Sequence, residues 1–503
     1  MNTVDIIAEI LKREGIEVLS CFPTTPIIES AAKAGIRPII CRQERVGVGI
    51  ADGYSRITNG NPLGVFAMQY GPGAENAYSG IATAYSDSTP LLLLPMGHPT
   101  DRQRVYPLYN AMDSFTTVNK QIEQVTSSDS TDDVFRRAFA ALRTGRGGPV
   151  TVELPINIAS HEVSEESFHW PSNLKPTLSQ GNPADVQAAA RALCSAKYPV
   201  IHAGQGVLYA GATNELVELS ELLGAPVMTT LLGKSAFPEV HPLSLGTGSG
   251  VMPGPVYHFM RRSDIIFGIG CSFTKHGMSM NLPEGKTLIH SSNDPRDINK
   301  DYEIEYPIVG DAKLVLRQMI EACTDIVGPK GNVSAREEMY NQNAKEIKSE
   351  YDGWVSQWQS KLNDRMRPIN PYAVISGFMQ AVPPSEAIVT HDSGSPRDQI
   401  TPFYKSNGPR TYIGWGKSHG LGTGLGLIIG AKIADPSKVC VNFMGDAAFG
   451  MVGLDFETAV RSSVPIITVV LNNSTMAVET TQMADSHQLY RTRDLGGNYA
   501  DMA

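Results

Sequence analysis

Two oxygen-bearing side chains end two neighbouring apolar segments: Asp446 closes "KVCVNFMGD" and Asn473 closes "VPIITVVLNN". In a parallel sheet both ends fall on the edge where ligands bind. A carboxylate, an amide oxygen and a nearby backbone carbonyl make a hard oxygen site suited to Mg2+, which would keep diphosphate oxygens as further ligands. Spacing alone leaves an equal alternative, in which Asp446 caps the helix expected over 449–463 and Asn473 sits in an Asx-turn. Glu44, in "CRQERVGVGIADGYSRITNG", opens a helix after another strand. It reads either as a glutamate favoured by the helix dipole or as a partly buried carboxylate able to exchange a proton.

Glycine-rich turns accompany these groups. Gly71-Pro72-Gly73 leads into a helix whose first amides could meet a ligand. "VTHDSGSPR" and "GWGKSHGLGTGLGLIIGAKIA" allow close backbone approach and tight helix packing. The "HAGQGVLYAG" stretch lacks the G-x-G-x-x-G spacing, which disfavours a nicotinamide oxidoreductase.

The elements that must position these residues are short apolar strands alternating with helices. "PLGVFAM", "PLLLLPM", "GPVTVELP", "DIIFGIG" and "EAIVTHD" run without period-two alternation, as in parallel sheets covered on both faces. The fold class is α/β, doubly wound. Residues 160–183 and 324–359 read as connectors, dividing the chain into blocks 1–165, 180–325 and 360–503. At 503 residues several domains are expected. A net charge of −9 without a basic run argues against nucleic acid. No apolar run is long enough for a membrane span, and six scattered cysteines without a C-x-x-C pair point to a reducing compartment, the cytoplasm.

Taken in order, "QERVGVGIADGYSR", "GPGAENAYSGIATAYSDSTPLLLLPMG", "GPVTVELP", "FPEVHPLSLGTGSG", "IVGDAKLVL" and "GDAAFG" through "NN" give the chain its resemblance to a known family. It resembles the thiamine-diphosphate-dependent enzymes of the acetolactate synthase, pyruvate decarboxylase and oxalyl-CoA decarboxylase group, from about residue 4 to the end. The resemblance implies three doubly wound parallel-sheet domains: an N-terminal pyrimidine-binding domain, a central domain and a C-terminal diphosphate-binding domain. It implies a transferase or lyase that uses thiamine diphosphate and Mg2+ on a 2-oxo acid. The active site would lie between subunits of a homodimer or homotetramer.

Carried onto this sequence, the resemblance makes Asp446 and Asn473 the Mg2+ ligands, with the Thr475 carbonyl as a third. Gly445 and Ala447 flank the metal aspartate, and Gly394 and Ser395 fall where a loop meets the diphosphate. Leu421 falls where an apolar side chain props the bent cofactor, and His419 where a backbone carbonyl meets the aminopyrimidine. Glu44 matches the glutamate that bonds the pyrimidine ring and drives its proton exchange.

The departures lie on the substrate side. The Gly-rich turn after the first strand is "CFPTTP", a glutamine is replaced by His98, and a Lys-Asp pair by Ile156-Asn157. "GCSFTKHG" replaces an Arg-Phe-containing flavin segment, which argues against bound FAD. "STMAVETTQM" lacks the Gly-Met-Val run after the Asn pair. His98 and His419 are candidate substrate-facing histidines, or loop histidines satisfied by backbone. A related lyase acting on an acyl-CoA or a diketone, or a cofactor-binding protein without turnover, are the alternatives. The last residues, "GGNYADMA", suggest a third domain that is C-terminally incomplete.

Overall fold

The computed structural model describes residues 1–23, 26–163, 168–170, 175–328 and 333–502. They form two compact units, Met1–Thr177 with Ile388–Pro396 and Gly414–Ala503, and Leu178–Ala387 with Arg397–Ile413.

The first unit opens on a sheet of β1 (Val18–Cys21), β2 (Arg37–Ile40), β3 (Gly64–Met68), β4 (Leu91–Gly97), β5 (Gln121–Gln124) and β6 (Pro149–Pro155), in the order β2-β1-β3-β4-β6-β5. All five pairings are parallel. β3, β4 and β6 are buried along their whole length, as their continuous apolar sequences require. The second unit carries β7 (Pro199–Ala203), β8 (Val227–Thr230), β9 (Ser244–Gly248), β10 (Ile265–Ile269), β11 (Thr287–Ser292) and β12 (Tyr306–Val309), again all parallel, in the order β12-β11-β10-β7-β8-β9. A short strand, β14 (Tyr412–Ile413), precedes β15 (Val439–Gly445) and β16 (Ile467–Leu471), and β13 (Ala387–His391) lies next to β15. β15 and β16 are parallel, with Gly445 opposite Leu471. The doubly wound α/β class in three parallel sheets therefore stands, and β15 and β16 of the third sheet share one compact unit with the first sheet.

In the 160–183 connector Trp170 is buried against Phe139, ring centroids 6.0 Å apart, and its Nε1 donates to Glu14 Oε1 at 3.0 Å. The indole covers the first core because its N–H finds an acceptor there. Parts of this connector, and Thr24 and Thr25 of "CFPTTP", lie outside the described residues. The single helix expected over 449–463 is two, Asp446–Val452 and Phe456–Arg461, joined by a turn at Gly453–Asp455. Asp455 is turned inward there, accepting from Arg42 N at 2.7 Å and Thr458 Oγ1 at 3.0 Å.

In the second unit the "GCSFTKHG" segment folds its Phe273 ring onto Gly268, and the ring stacks on His290 at 4.4 Å. Among the described residues, no helix is long and apolar enough to cross a membrane.

Candidate active site

Because the strands are parallel, the loops that follow β2, β3 and β4 all emerge at one edge of the first sheet. Glu44 stands in the first turn of the helix Glu44–Thr58, with Gln43 as an extended N-cap. Its side chain is buried. It points at the start of the helix Pro72–Ser86, where a Cβ on Gly73 would stand 3.5 Å from Glu44 Oε1. Burial raises the Glu44 pKa and the negative charge of Asp455 adds to that, while its own backbone N–H and the Asn76 side chain pull it back. A raised carboxyl pKa makes the group easier to protonate, the direction that suits a carboxylate exchanging a proton with a ligand.

Glycines explain how this helix is fixed. A Cβ on Gly49 would stand 3.1 Å from Gly426 Cα, and one on Gly430 would stand 2.7 Å from Tyr54 N. The helices Glu44–Thr58 and Thr423–Ala434 thus pack backbone against backbone, which only glycine permits at these positions. A buried ion network ties down the loop before the second helix. Arg56 bonds Asp52 at 2.6 Å and Asp87 at 3.1 Å, and donates to Gly414 O at 2.7 Å. Asp87 in turn accepts from Gly416 N at 3.0 Å and Lys417 N at 3.1 Å.

At the carboxyl edge of the third sheet, β13 ends in His391, buried with its ring over Gly414. The next residue, Asp392, is wholly buried. It accepts from Ser393 N at 2.7 Å, Gly422 N at 2.9 Å and Gly424 N at 2.9 Å, and so draws the glycine turn onto the strand end. Burial pushes its pKa up to about 6, against the pull of those N–H groups and of Arg45. Gly394 follows at φ +84°, a conformation that favours glycine, and Ser395 opens a short helix. Leu421 is partly buried against the Met444, Phe449 and Val452 cluster. His419 is exposed, its ring 5.5 Å from Trp415 and its Nδ1 3.3 Å from Lys417 O.

Asp446 directly follows β15 and Asn473 lies two residues beyond the end of its neighbour β16. Gly445 occupies the N-cap of the following helix without any side-chain cap bond, so Asp446 is not its cap; Ala447 comes next. Asp446 is buried, and its Oδ2 has no hydrogen-bond partner. An orphaned buried carboxylate oxygen is costly unless a cation or donor meets it. Asn473 is exposed, and its Oδ1 accepts from Thr475 N at 3.2 Å in an Asx-turn, which uses one of the two lone pairs of the amide oxygen. Thr475 forms a single bridge to Asp494, which folds the 474–495 loop on itself. Among the described residues no cluster of three His, Cys, Asp or Glu side chains exists that could hold a metal. A cation at Asp446 would therefore need amide, carbonyl and ligand oxygens, the donor set expected for Mg2+ on a diphosphate.

His98 follows β4 directly, with its ring 4.9 Å from that of Tyr70, which follows β3. Its Nε2 is buried without a hydrogen-bond partner. The structure thus groups Glu44, Tyr70 and His98 at one sheet edge, and Gly394, Ser395, Gly445, Ala447, Asp446 and Asn473 at the other. Sequence reasoning did not single out Asp392, Asp87 or Asp455. A signal existed for Asp392, a lone carboxylate between a strand end and Ser-Gly.

Comparison with known proteins decides the family. "Thiamine pyrophosphate enzyme, N-terminal TPP binding domain" matches residues 1–117, the central domain of the same family 186–319, and its C-terminal TPP binding domain 392–503. The chain belongs to the thiamine pyrophosphate enzymes. It is acetolactate-synthase-like: the probable acetolactate synthase large subunit of Methanococcus aeolicus is 30% identical over 95% of this chain and 81% of that protein. The acetolactate synthase isozyme 3 large subunit of Escherichia coli K12 is 31% identical over 87% of this chain and 76% of that protein. A sulfoacetaldehyde acetyltransferase of Alcaligenes xylosoxydans xylosoxydans is 27% identical over 93% of this chain and 79% of that protein.

Proposed function

We propose that this thiamine-dependent enzyme decarboxylates a 2-oxo acid with Mg2+ as its metal, with or without joining the product to a second carbonyl compound, in the manner of acetolactate synthase. The observation that carries the reading is the buried, unpartnered Oδ2 of Asp446 beside the Asn473 strand end. Asp446 Oδ2, Asn473 Oδ1 and the Thr475 carbonyl would hold Mg2+. Gly394, Ser395, Gly445 and Ala447 would line the diphosphate. Leu421 would support the bent cofactor, and the His419 carbonyl would meet its pyrimidine. Thiamine diphosphate, when bound, supplies the electron sink that makes loss of CO2 possible. Glu44 holds and moves the proton at its Oε1, in a buried setting that keeps the carboxyl above its ordinary range. His98, with a free buried nitrogen, orients the substrate. The working enzyme is a homodimer or homotetramer with its sites between subunits, in the cytoplasm.

A second reading is a related thiamine enzyme on another substrate, such as an acyl-CoA, a diketone or a sulfonated aldehyde. It is favoured by His98 at the edge of the first sheet, where the resemblance leads one to expect a glutamine. A screen for CO2 release over 2-oxo acids, with thiamine diphosphate and Mg2+ supplied, separates the readings. Release from at least one small 2-oxo acid is expected. Turnover of a diketone or sulfonated aldehyde without any CO2 release would favour the second.

A further inference from the structure

β4 and β6 run side by side to the edge where His98 emerges, with Met96 opposite Leu154 and Gly97 opposite Pro155. The residues that follow β6 therefore lie beside those that follow β4. Two contacts use that neighbourhood. Glu153, buried near the end of β6, lays its carboxyl on Gly97, where an added Cβ would stand 2.7 Å from Glu153 Cδ and 2.9 Å from Oε2. Gln124 of β5 donates its side-chain N–H to the same carboxylate oxygen. The residue before His98 is thus held by a carboxyl that is itself held.

On the other side of His98, Thr100 is tied to Asn157, which lies two residues beyond β6. Thr100 N donates to Asn157 Oδ1 at 3.0 Å, and Asn157 Nδ2 donates to Thr100 Oγ1 at 3.0 Å. The two bonds run in opposite directions, so they fix the orientation of the amide as well as the place of the threonine. Pro99 is fixed in turn by its carbonyl, which accepts from Arg102 N at 2.8 Å. Between these anchors the His98 ring leans on Tyr70 and keeps a buried Nε2 without a hydrogen-bond partner. That nitrogen is the atom a bound ligand would satisfy. His98 and Asn157 are also two of the positions at which the sequence departs from the family pattern, and the structure joins them.

We propose that Asn157 is a positioning residue for His98: it holds the 98–100 turn so that the His98 ring nitrogen meets an oxygen of the substrate. Glu153 fixes where the turn begins and Asn157 where it ends, so the end of β6 is the seat of the histidine. The two departures then act as one specificity-determining unit. This inference rests on the proposed role of His98 in orienting substrate.

The test uses the full chain with thiamine diphosphate and Mg2+, and pyruvate as the probe 2-oxo acid. Asn157→Ala is expected to lower kcat/KM by about two- to tenfold, the scale of one lost hydrogen bond, with thiamine diphosphate affinity unchanged. Added to His98→Ala it is expected to cost nothing further, because the ring it positions is gone. Asn157→Asp can still accept from the Thr100 N–H and hydroxyl, and is expected to recover most of the loss. Thr100→Val, which removes the hydroxyl alone, is expected to show part of the loss and serves if Asn157→Ala fails to fold. A second arm needs no turnover: labelling of His98 by diethyl pyrocarbonate, read by peptide mapping. As the turn opens, labelling is expected to be about two- to tenfold faster in Asn157→Ala than in the wild type, and close to the wild-type rate in Asn157→Asp. Unchanged kcat/KM in Asn157→Ala, an equal loss in the His98→Ala background, or an unchanged labelling rate would overturn the proposal. Absence of CO2 release from pyruvate by the wild type bears on the proposed function, and the labelling rates then decide this inference by themselves.

Discussion

Gly49 and Gly426 meet backbone to backbone: a Cβ on Gly49 would stand 3.1 Å from Gly426 Cα, and one on Gly426 would stand 2.9 Å from Gly49 Cα. This contact joins the helix that begins at Glu44 to the helix that follows Leu421, so it sets how the edges of the two sheets in the first unit face one another.

Its energetic consequence is testable at Gly430, where an added Cβ would meet Tyr54 N at 2.7 Å and the Ile50 carbonyl closer still. Gly430→Ala is expected to cost about 1–3 kcal/mol, the usual range for overpacking. Gly377→Ala is the control: it lies within the helix Pro371–Ala381 with nothing within 4 Å, and is expected to stabilise by about 0.5–1 kcal/mol. Denaturant midpoints of the two variants check both signs.

Glu44 carries the proton exchange in this account. Glu44→Gln keeps the size and a hydrogen-bonding end but cannot ionise, so kcat is expected to fall by about 10²–10⁴. Steady-state assays with saturating thiamine diphosphate and Mg2+ measure it. Unchanged turnover would remove Glu44 from the chemistry.

Asp392 gives a pH signature. Its pKa rises from 3.8 in the unfolded chain to about 6 when folded, chiefly through burial. The folded state therefore binds the proton more tightly, and ionising Asp392 costs stability as pH rises from about 4 through 6. That cost is complete above pH 6 and absent below the unfolded value. Asp392→Asn has no such proton, so the wild type is expected to gain stability relative to the variant as pH falls from 7.5 to 5. Paired denaturant midpoints at the two pH values test this, and a constant difference would contradict it.

His98 is expected to act on substrate and leave the cofactor alone. His98→Ala should lower kcat/KM by roughly tenfold or more, the scale of a lost specific hydrogen bond, while thiamine diphosphate affinity stays unchanged. A parallel loss of cofactor affinity would move His98 out of that role.

The sequence made much of this frame legible, for reasons visible in single residues. Runs such as Leu91–Gly97 are apolar at every position, and a strand covered on both faces is the structure that uses them. The glycines of 414–434 were readable as a close-approach surface, and the backbone contacts with Gly49 and Tyr54 are that surface. What local sequence could not carry were partners hundreds of residues apart. Asp455 breaks the 449–463 helix because it answers Arg42 N. Asp87 is buried because Arg56 and the 416–417 amides meet it. Trp170 leaves its connector because Glu14 accepts its N–H. Asp392 likewise shows its role only once Gly422 and Gly424 fold back onto it.

The central claim rests on Asp446 and its unpartnered Oδ2, and calorimetric titration of the full chain with thiamine diphosphate tests it most directly. With Mg2+ present, saturable binding is expected. Chelating the metal is expected to abolish it, and Asp446→Ala is expected to weaken it by at least about tenfold. Absence of binding with Mg2+ present, or equal binding by the wild type and Asp446→Ala, would contradict the account.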